Sequence, residues 1–271
     1  MNQSAARTGA RGSALLNVMI DAAGKAGRSL VRDFGDIENL QVSKKGPADF
    51  VSTADRKAEK IIYETLSKAR PNFGFLMEER GVVEGVDISN RWIVDPLDGT
   101  LNFLHGLPHF AVSIALERDG EMYAGVVYEP VSDQMFWAEK GQGAFLNGRR
   151  LRVSARKDLA ESVFATGIPF MGREDHQPFL AQLEQVMAVS AGVRRFGSAA
   201  LDLAYVAAGR YEGFWEKGLN SWDIAAGIVI VREAGGMVTD FANRARMISR
   251  GEIIATNEIM HNELRKLVKL P

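Results

Sequence analysis

A chain of 271 residues can bury a large core, either as one big α/β unit or as two closely packed halves. Hydrophobic residues make up 46% and charged residues 25%, a globular balance that excludes disorder as the default state. With 33 Lys and Arg against 34 Asp and Glu, no global positive field draws the chain to nucleic acid or an anionic membrane, and the lack of cysteine removes disulfides, thiolate nucleophiles and cysteine-held zinc together.

Residues 1–12 are small and polar, with Arg7 and Arg11 as their only charges, and read as a flexible tail. They contain no apolar stretch of the signal-peptide kind, and the longest apolar run, 224–231, is too short to cross a bilayer. The expected location is cytoplasmic, away from membranes. Leu15, Val18, Met19, Ala22, Ala26 and Leu30 recur at helical spacing and predict an amphipathic helix over about 13–34. A loop and short strand follow and lead into a helix over about 52–69, where Ser52 and Asp55 have the spacing of a capping box, so that Asp55 complements the helix dipole. Lys44 and Lys45, just upstream, read as a solvated pair. Residues 73–79 read as a strand ending in two glutamates; neighbours on a strand face opposite ways, so at most one of Glu78 and Glu79 points into a given site.

The next strand, 91–95, sets Ile93 and Asp95 on one face and Trp92 and Val94 on the other. Pro96 is expected to end its ladder, and Asp98-Gly99 is a turn signal at which the amides of Gly99 and Thr100 could face an anion. Carboxylates beside amide donors suit a divalent cation that bridges protein oxygens to a phosphate. The same stretch also reads as a plain strand and turn in which Asp95 and Asp98 cap backbone amides. Strands follow at 109–117, 122–128 and 134–139, with Asp119-Gly120 and Asn147-Gly148 as hairpin turns. His105 and His109, beside this carboxylate set, read as structural or surface groups.

The second half alternates. Strands are expected at 162–167, 192–196, 211–215 and 252–256, and helices at 174–189, 201–208 and 222–234 and at the end of the chain. The pattern argues for a second layered sheet packed on the first, with a cleft where they meet, and for a division of one domain, 13–271, into subdomains 13–153 and 154–271.

Glu78-Glu79, Asp95-Pro-Leu-Asp98-Gly-Thr100-Leu-Asn102-Phe103 and Trp222-Asp223-Ile-Ala-Ala-Gly227 resemble, in order and spacing, the metal-binding signatures of the inositol monophosphatase family. The resemblance extends to Asp49-Phe-Val-Ser-Thr-Ala-Asp55 and to the stretch 197–209, which is similar to the bacterial branch. It implies an α/β fold layered α-β-α-β-α and hydrolysis of a phosphate monoester with two or three magnesium ions per site. It implies that Glu78, Asp95 and the carbonyl of Leu97 hold the activating metal and that Asp95, Asp98 and Asp223 hold the second. Thr100 with Asp55 would position the attacking water, Gly99 and Thr100 would bind phosphate oxygens, and Glu79 and Lys44 would stand behind the ligands. Ser198, Ala199 and Glu216, with Asp98 and Asp223, match positions that line the substrate pocket. Arg80 and the stretch Leu104-His105-Gly106 depart from common members and bear on substrate preference.

This density of acid has a chemical reason. A phosphate dianion repels an incoming hydroxide, and cations neutralise it while lowering the pKa of a bound water from about 15.7 to about 7. The expected enzyme is a lithium-sensitive homodimer acting on inositol 1-phosphate. Fructose-1,6-bisphosphatase, bisphosphate nucleotidase and histidinol-phosphate phosphatase activities are rivals on the same scaffold. A different class of rival is an interaction protein that meets RNA polymerase or the ribosome through Arg149, Arg150, Arg152, Arg156, Arg194 and Arg195, although interleaved acids make a solvated face the simpler account of those residues.

Overall fold

The computed structural model describes residues 12–36, 42–46, 49–172 and 176–269, with the backbone alone at 42–46 and 49–51. The expected tail, apart from Gly12, and the side chains of Lys44 and Lys45 lie outside the described residues.

Helix α1 (Ala14–Phe34) starts where the Ser13 hydroxyl accepts the Leu16 N–H at 3.2 Å, and it buries Leu15, Leu16, Met19, Ala22, Ala26 and Leu30 along one stripe. A short hairpin of β1 (Val42–Gly46) and β2 (Asp49–Ser52) leads into α2 (Thr53–Ala69), which lies beside α1. Both helices cover one face of an eight-stranded sheet. Its strands are β3 (Phe73–Met77), β4 (Gly81–Val83), β5 (Asp87–Asp98), β6 (Ala111–Arg118), β7 (Glu121–Glu129), β8 (Gln134–Glu139), β9 (Gly143–Leu146) and β10 (Arg149–Arg150), in the spatial order β10-β9-β8-β7-β6-β5-β3-β4. Only the β3–β5 pair is parallel. Asp119-Gly120 and Asn147-Gly148 both adopt positive φ at the two central residues, the twist that a tight hairpin requires.

A second sheet, β12-β11-β13-β15-β14, comprises β11 (Val163–Thr166), β12 (Gly192–Arg194), β13 (Gly213–Lys217), β14 (Gly236–Thr239) and β15 (Glu252–Asn257). Helices α5 (Ala199–Ala207) and α6 (Ser221–Glu233) are buried on nearly every side, because they lie between the two sheets. Their core joins Ile93, Val127 and Phe136 of the first sheet to Phe214, Ile253 and Ala255 of the second. Trp92 and Val94 face α1 and α2 instead, as the alternation of β5 requires. Trp215 and Ile254 face outward to a third core that includes Val186 of α4 (His176–Met187) and Leu264 of α8 (His261–Val268). The layers therefore run α-β-α-β-α.

The structure differs from the expectations in informative places. Pro96 does not end β5: pairing with β6 jumps from Asp95 opposite Ser113 to Asp98 opposite Ala111, so one extra residue is absorbed in a bulge. A bulge tolerates proline because its missing N–H leaves no ladder bond unmade. Strand β3 stops at Met77, so Glu78 and Glu79 lie in the turn beyond it, although the Glu78 N–H still bonds the Val94 carbonyl at 3.2 Å. The short elements β4, β14, α3 (Thr100–Leu104) and α7 (Met247–Arg250) are too brief to show a period in sequence.

Candidate active site

The bulge in β5 builds the centre of the site. Asp95 and Asp98 are three apart and would point to opposite faces of a regular strand, yet their partners Ser113 and Ala111 are two apart on β6 and share a face. The extra residue thus turns both carboxylates to the side where α5 and α6 lie. Asp95 is 2% exposed, and its Oδ1 accepts the Leu97 N–H at 2.9 Å. Asp98 Oδ2 accepts the Ser198 hydroxyl at 2.5 Å and the Ala200 N–H at 2.8 Å, which fastens the start of α5 to the end of β5. Asp223, in the first turn of α6, accepts the Asn220 N–H at 2.7 Å in a capping box. The Ser113 hydroxyl donates to the Trp222 carbonyl at 3.2 Å and so holds the start of α6 over the strand that pairs with Asp95.

These acids repel one another. Burial raises Asp95 well above the ordinary carboxylate range, and the charges of Glu78, Asp98 and Asp223 push the same way. Burial lifts Asp98 to about 6 against the opposing hydrogen bonds from Ser198 and Ala200. Asp223 is raised by burial first and then by the charge of Asp98. Positive charge placed among them would relieve this repulsion.

A second arm is built by α2. Asp55, fully buried, takes both the Ser52 N–H at 2.9 Å and the Ser52 hydroxyl at 2.5 Å on Oδ2, completing the capping box expected at this helix start. Its Oδ1 accepts the Thr100 hydroxyl at 3.1 Å, and that same hydroxyl lies 3.0 Å from the Leu97 carbonyl. Burial raises Asp55 as well, opposed by these bonds. Thr100 opens α3, with Gly99 as its N-cap at φ 95°, a left-handed conformation that favours glycine.

A cavity of about 650 Å³ opens beside this centre, and Glu78, Asp98, Ser198, Ala199, Glu216 and Asp223 stand in its wall. Asp95, Asp55, Leu97, Gly99 and Thr100 are outside that lining, as is Glu79. The Glu79 N–H donates to Glu59 Oε2 at 2.8 Å and the Arg80 N–H to the same oxygen at 3.2 Å, so buried Glu59 sets the turn that carries Glu78. His105 caps the C-terminus of α3 at the surface, and half-buried His109 packs its ring against Phe196.

Sequence reasoning passed over Glu59, Gly167 and Asp202 and read Arg195 as part of a solvated face; Gly167, Arg195 and Asp202 all line the cavity. Asp202 carried a signal, a lone charge inside the otherwise apolar helix AALDLAYVA. Gly167 carried none, because its role depends on Glu216 of β13, whose carboxylate lies where a Cβ at 167 would stand, 1.9 Å away.

The donors around Asp95 are all oxygen, a set that suits hard cations such as magnesium rather than zinc or copper. Among the described residues no three acidic or histidine side chains already form a ligand cluster. The hydrogen bonds account for this, since Asp95, Asp98 and Asp223 are each drawn to an amide or hydroxyl. The mutual repulsion and the oxygen donors fit a hard divalent ion.

The chain resembles known proteins along nearly its whole length. A protein named inositol-1-monophosphatase from Mesorhizobium japonicum is 62% identical over 96% of this chain and 97% of its own length. The protein named Nus factor SuhB from Escherichia coli K12 is 45% identical over 90% of this chain and 91% of its own. Among solved structures, the extragenic suppressor protein suhB from Bartonella henselae superposes with a TM-score of 0.93 at 60% identity, covering 95% of this chain and 99% of that one. An inositol monophosphatase from Thermotoga maritima gives 0.84 at 38% identity, over 93% and 96%. The sequence profile of the inositol monophosphatase family matches residues 13–270, and the chain belongs to that family.

Proposed function

We propose that the protein is a magnesium-dependent phosphate monoesterase whose preferred substrate is inositol 1-phosphate. The observation that carries this reading is that Asp95, Asp98 and Asp223, from β5 and α6, pack close enough to act on one another's charge, beside one cavity whose wall holds Glu78, Asp98 and Asp223. Relatives named inositol-1-monophosphatase support the choice of substrate.

Glu78, Asp95 and the Leu97 carbonyl would hold one magnesium, and Asp95, Asp98 and Asp223 another, with two or three ions in all. Bound magnesium supplies charge neutralisation of the phosphate and a more acidic water. Thr100 shares its hydroxyl proton between Asp55 and the Leu97 carbonyl, which leaves its oxygen lone pairs to receive a proton of the attacking water and so orient it. The Gly99 and Thr100 amides hold phosphate oxygens, while Ser198, Ala199 and Glu216 face the alcohol. Glu79 stands behind the ligands, and the same expectation for Lys44 falls on a side chain outside the described residues. Water would attack phosphorus and give up a proton, the bond to the alcohol oxygen would break with that oxygen taking up a proton, and no covalent enzyme intermediate would form.

Among the described residues no helix is long and apolar enough to cross a membrane; we read the enzyme as a lithium-sensitive cytoplasmic protein. Asn102 donates its side-chain amide to the His109 carbonyl at 2.8 Å and the Phe196 carbonyl at 2.7 Å. This joins two loops that carry exposed Leu107 and Phe196, apolar side chains that a homodimer would cover.

The test is phosphate release from inositol 1-phosphate, fructose 1,6-bisphosphate, 3′-phosphoadenosine 5′-phosphate and histidinol phosphate, with magnesium and with chelator. Greatest magnesium-dependent release is expected from inositol 1-phosphate. Asp95→Asn should lower it by more than about a hundredfold, beyond the loss typical of a residue behind a ligand; full activity in that variant would sink the reading.

A second reading rests on the relatives named Nus factor SuhB. In it the chain joins transcription or ribosome machinery through exposed basic residues such as Arg149 and Arg150 of β10, whereas Arg156 is already paired with Glu212 at 2.9 Å. Salt-sensitive co-purification of RNA polymerase with the Asp95→Asn protein supports this role, and its absence counts against it.

A further inference from the structure

Asp202 is an acid of the cavity wall that phosphate hydrolysis at the metal site does not use. It sits in the middle of α5, 1% exposed, between apolar neighbours that are all buried. Its Oδ1 is buried and has no hydrogen-bond partner. A buried carboxyl oxygen that no protein group bonds costs stability, and native proteins keep such an atom where a water, an ion or a ligand supplies the partner. The cavity it lines is the one that Glu216 and Asp98 line, and both of those acids lie close enough to repel it.

The ligand chemistry follows from the neighbours. A metal ion is a poor partner, because the guanidinium of Arg195 also stands in this wall and its charge acts on Asp202. An anionic group is opposed by two acids against that one cation. Neutral hydroxyls remain: each brings a proton for a carboxyl oxygen and adds no charge. Two neighbouring carboxyls suit two hydroxyls of one polyol.

We propose that Asp202 is a specificity-determining residue whose unpartnered carboxyl oxygen, beside Glu216, bonds a hydroxyl of the polyol part of the substrate. The inference deepens the phosphatase reading and rests on it, but it concerns the alcohol end of the substrate and does not pass through the metal ligands. It places the reading of hydroxyl pattern on α5 and β13 together, one acid from each.

The experiment compares wild type with Asp202→Leu, which fills a similar space without polar atoms, and with Asp202→Asn, which keeps an acceptor. Binding of free myo-inositol is followed by ligand-observed NMR, kcat and KM are measured on inositol 1-phosphate and on p-nitrophenyl phosphate, and thermal midpoints are recorded. Asp202→Leu should bind myo-inositol about tenfold more weakly or worse and lose the same factor in kcat/KM on inositol 1-phosphate through KM, while staying within about twofold on p-nitrophenyl phosphate. It should melt no lower than wild type, since it removes an unpaired buried acid, and Asp202→Asn should recover part of the binding. Unchanged inositol binding in Asp202→Leu, or equal losses on both substrates with a lowered midpoint, overturns the proposal. If wild type hydrolyses neither substrate, the phosphatase reading fails, and inositol binding still decides for or against Asp202.

Discussion

At Gly167 a single missing side chain makes room for a functional one. The atom that a Cβ there would strike first is Glu216 Oε1, followed by the rest of the same carboxylate, which is the far end of a flexible side chain rather than backbone. Gly167→Ala should therefore fold with a stability loss of about 1 kcal/mol or less while pushing Glu216 out of place. The expected result is a raised KM for inositol 1-phosphate with little change on p-nitrophenyl phosphate, read by steady-state kinetics beside a thermal melt. At this scale the sequence was legible where residues stand in a recognisable motif, as with Asp95, Asp98 and Asp223, which the fold brings close together. It was not legible at Gly167, or at Glu59 beneath the Glu79 turn, because those roles are defined by a partner 49 or 20 positions away: β11 runs parallel to β13 with Thr166 opposite Trp215, and Glu79 donates across 20 residues.

Helix α6 must approach β7 closely to bring Asp223 to the end of β5. Gly125 in β7 permits the approach: a Cβ on it would stand 2.5 Å from the Ala226 carbonyl oxygen and 2.9 Å from its Cα, both backbone atoms of α6. Backbone cannot step aside as a side-chain end can, so Gly125→Ala should cost about 1–3 kcal/mol or more by overpacking. Because the helix that shifts also carries Asp223, the variant should bind magnesium more weakly; denaturant unfolding and a metal titration on the same protein check the two effects together. The alternation of β5, the capping box at Ser52 and the Asn147-Gly148 hairpin were readable as local patterns. The bulge at Pro96 was not, since a bulge is a relation between two strands and the proline alone reads as a stop.

Across the whole molecule, the cluster of buried acids makes stability depend on pH in a definite sense. Asp98 lies at about 6 in the fold against 3.8 for the ordinary group, so between those values the folded state holds more protons than the unfolded one. Its contribution is therefore lost as pH rises from about 4 through about 6, and Asp95 and Asp223, raised well above the same ordinary value, act in the same direction. His261, lowered by burial to about 4, acts with the opposite sign over part of the same window, so the acid contribution is best isolated by difference. In chelator, Asp98→Asn should gain on wild type by up to about 3 kcal/mol as pH climbs from about 4 to above 6. Thermal melts across that range check it, and parallel curves for the two proteins would show that Asp98 carries no such burden. What the sequence by itself determined is local: which residues are acids, which alternate along a strand, which cap a helix, and in what order the motifs fall. Only the tertiary structure decided that these acids meet, because bringing Asp95 and Asp98 to one face needs the register of β6, and adding Asp223 and Asp202 needs α5 and α6 buried between two sheets. Side-chain identity belongs to one position, whereas convergence is a property of packing between segments far apart in the chain.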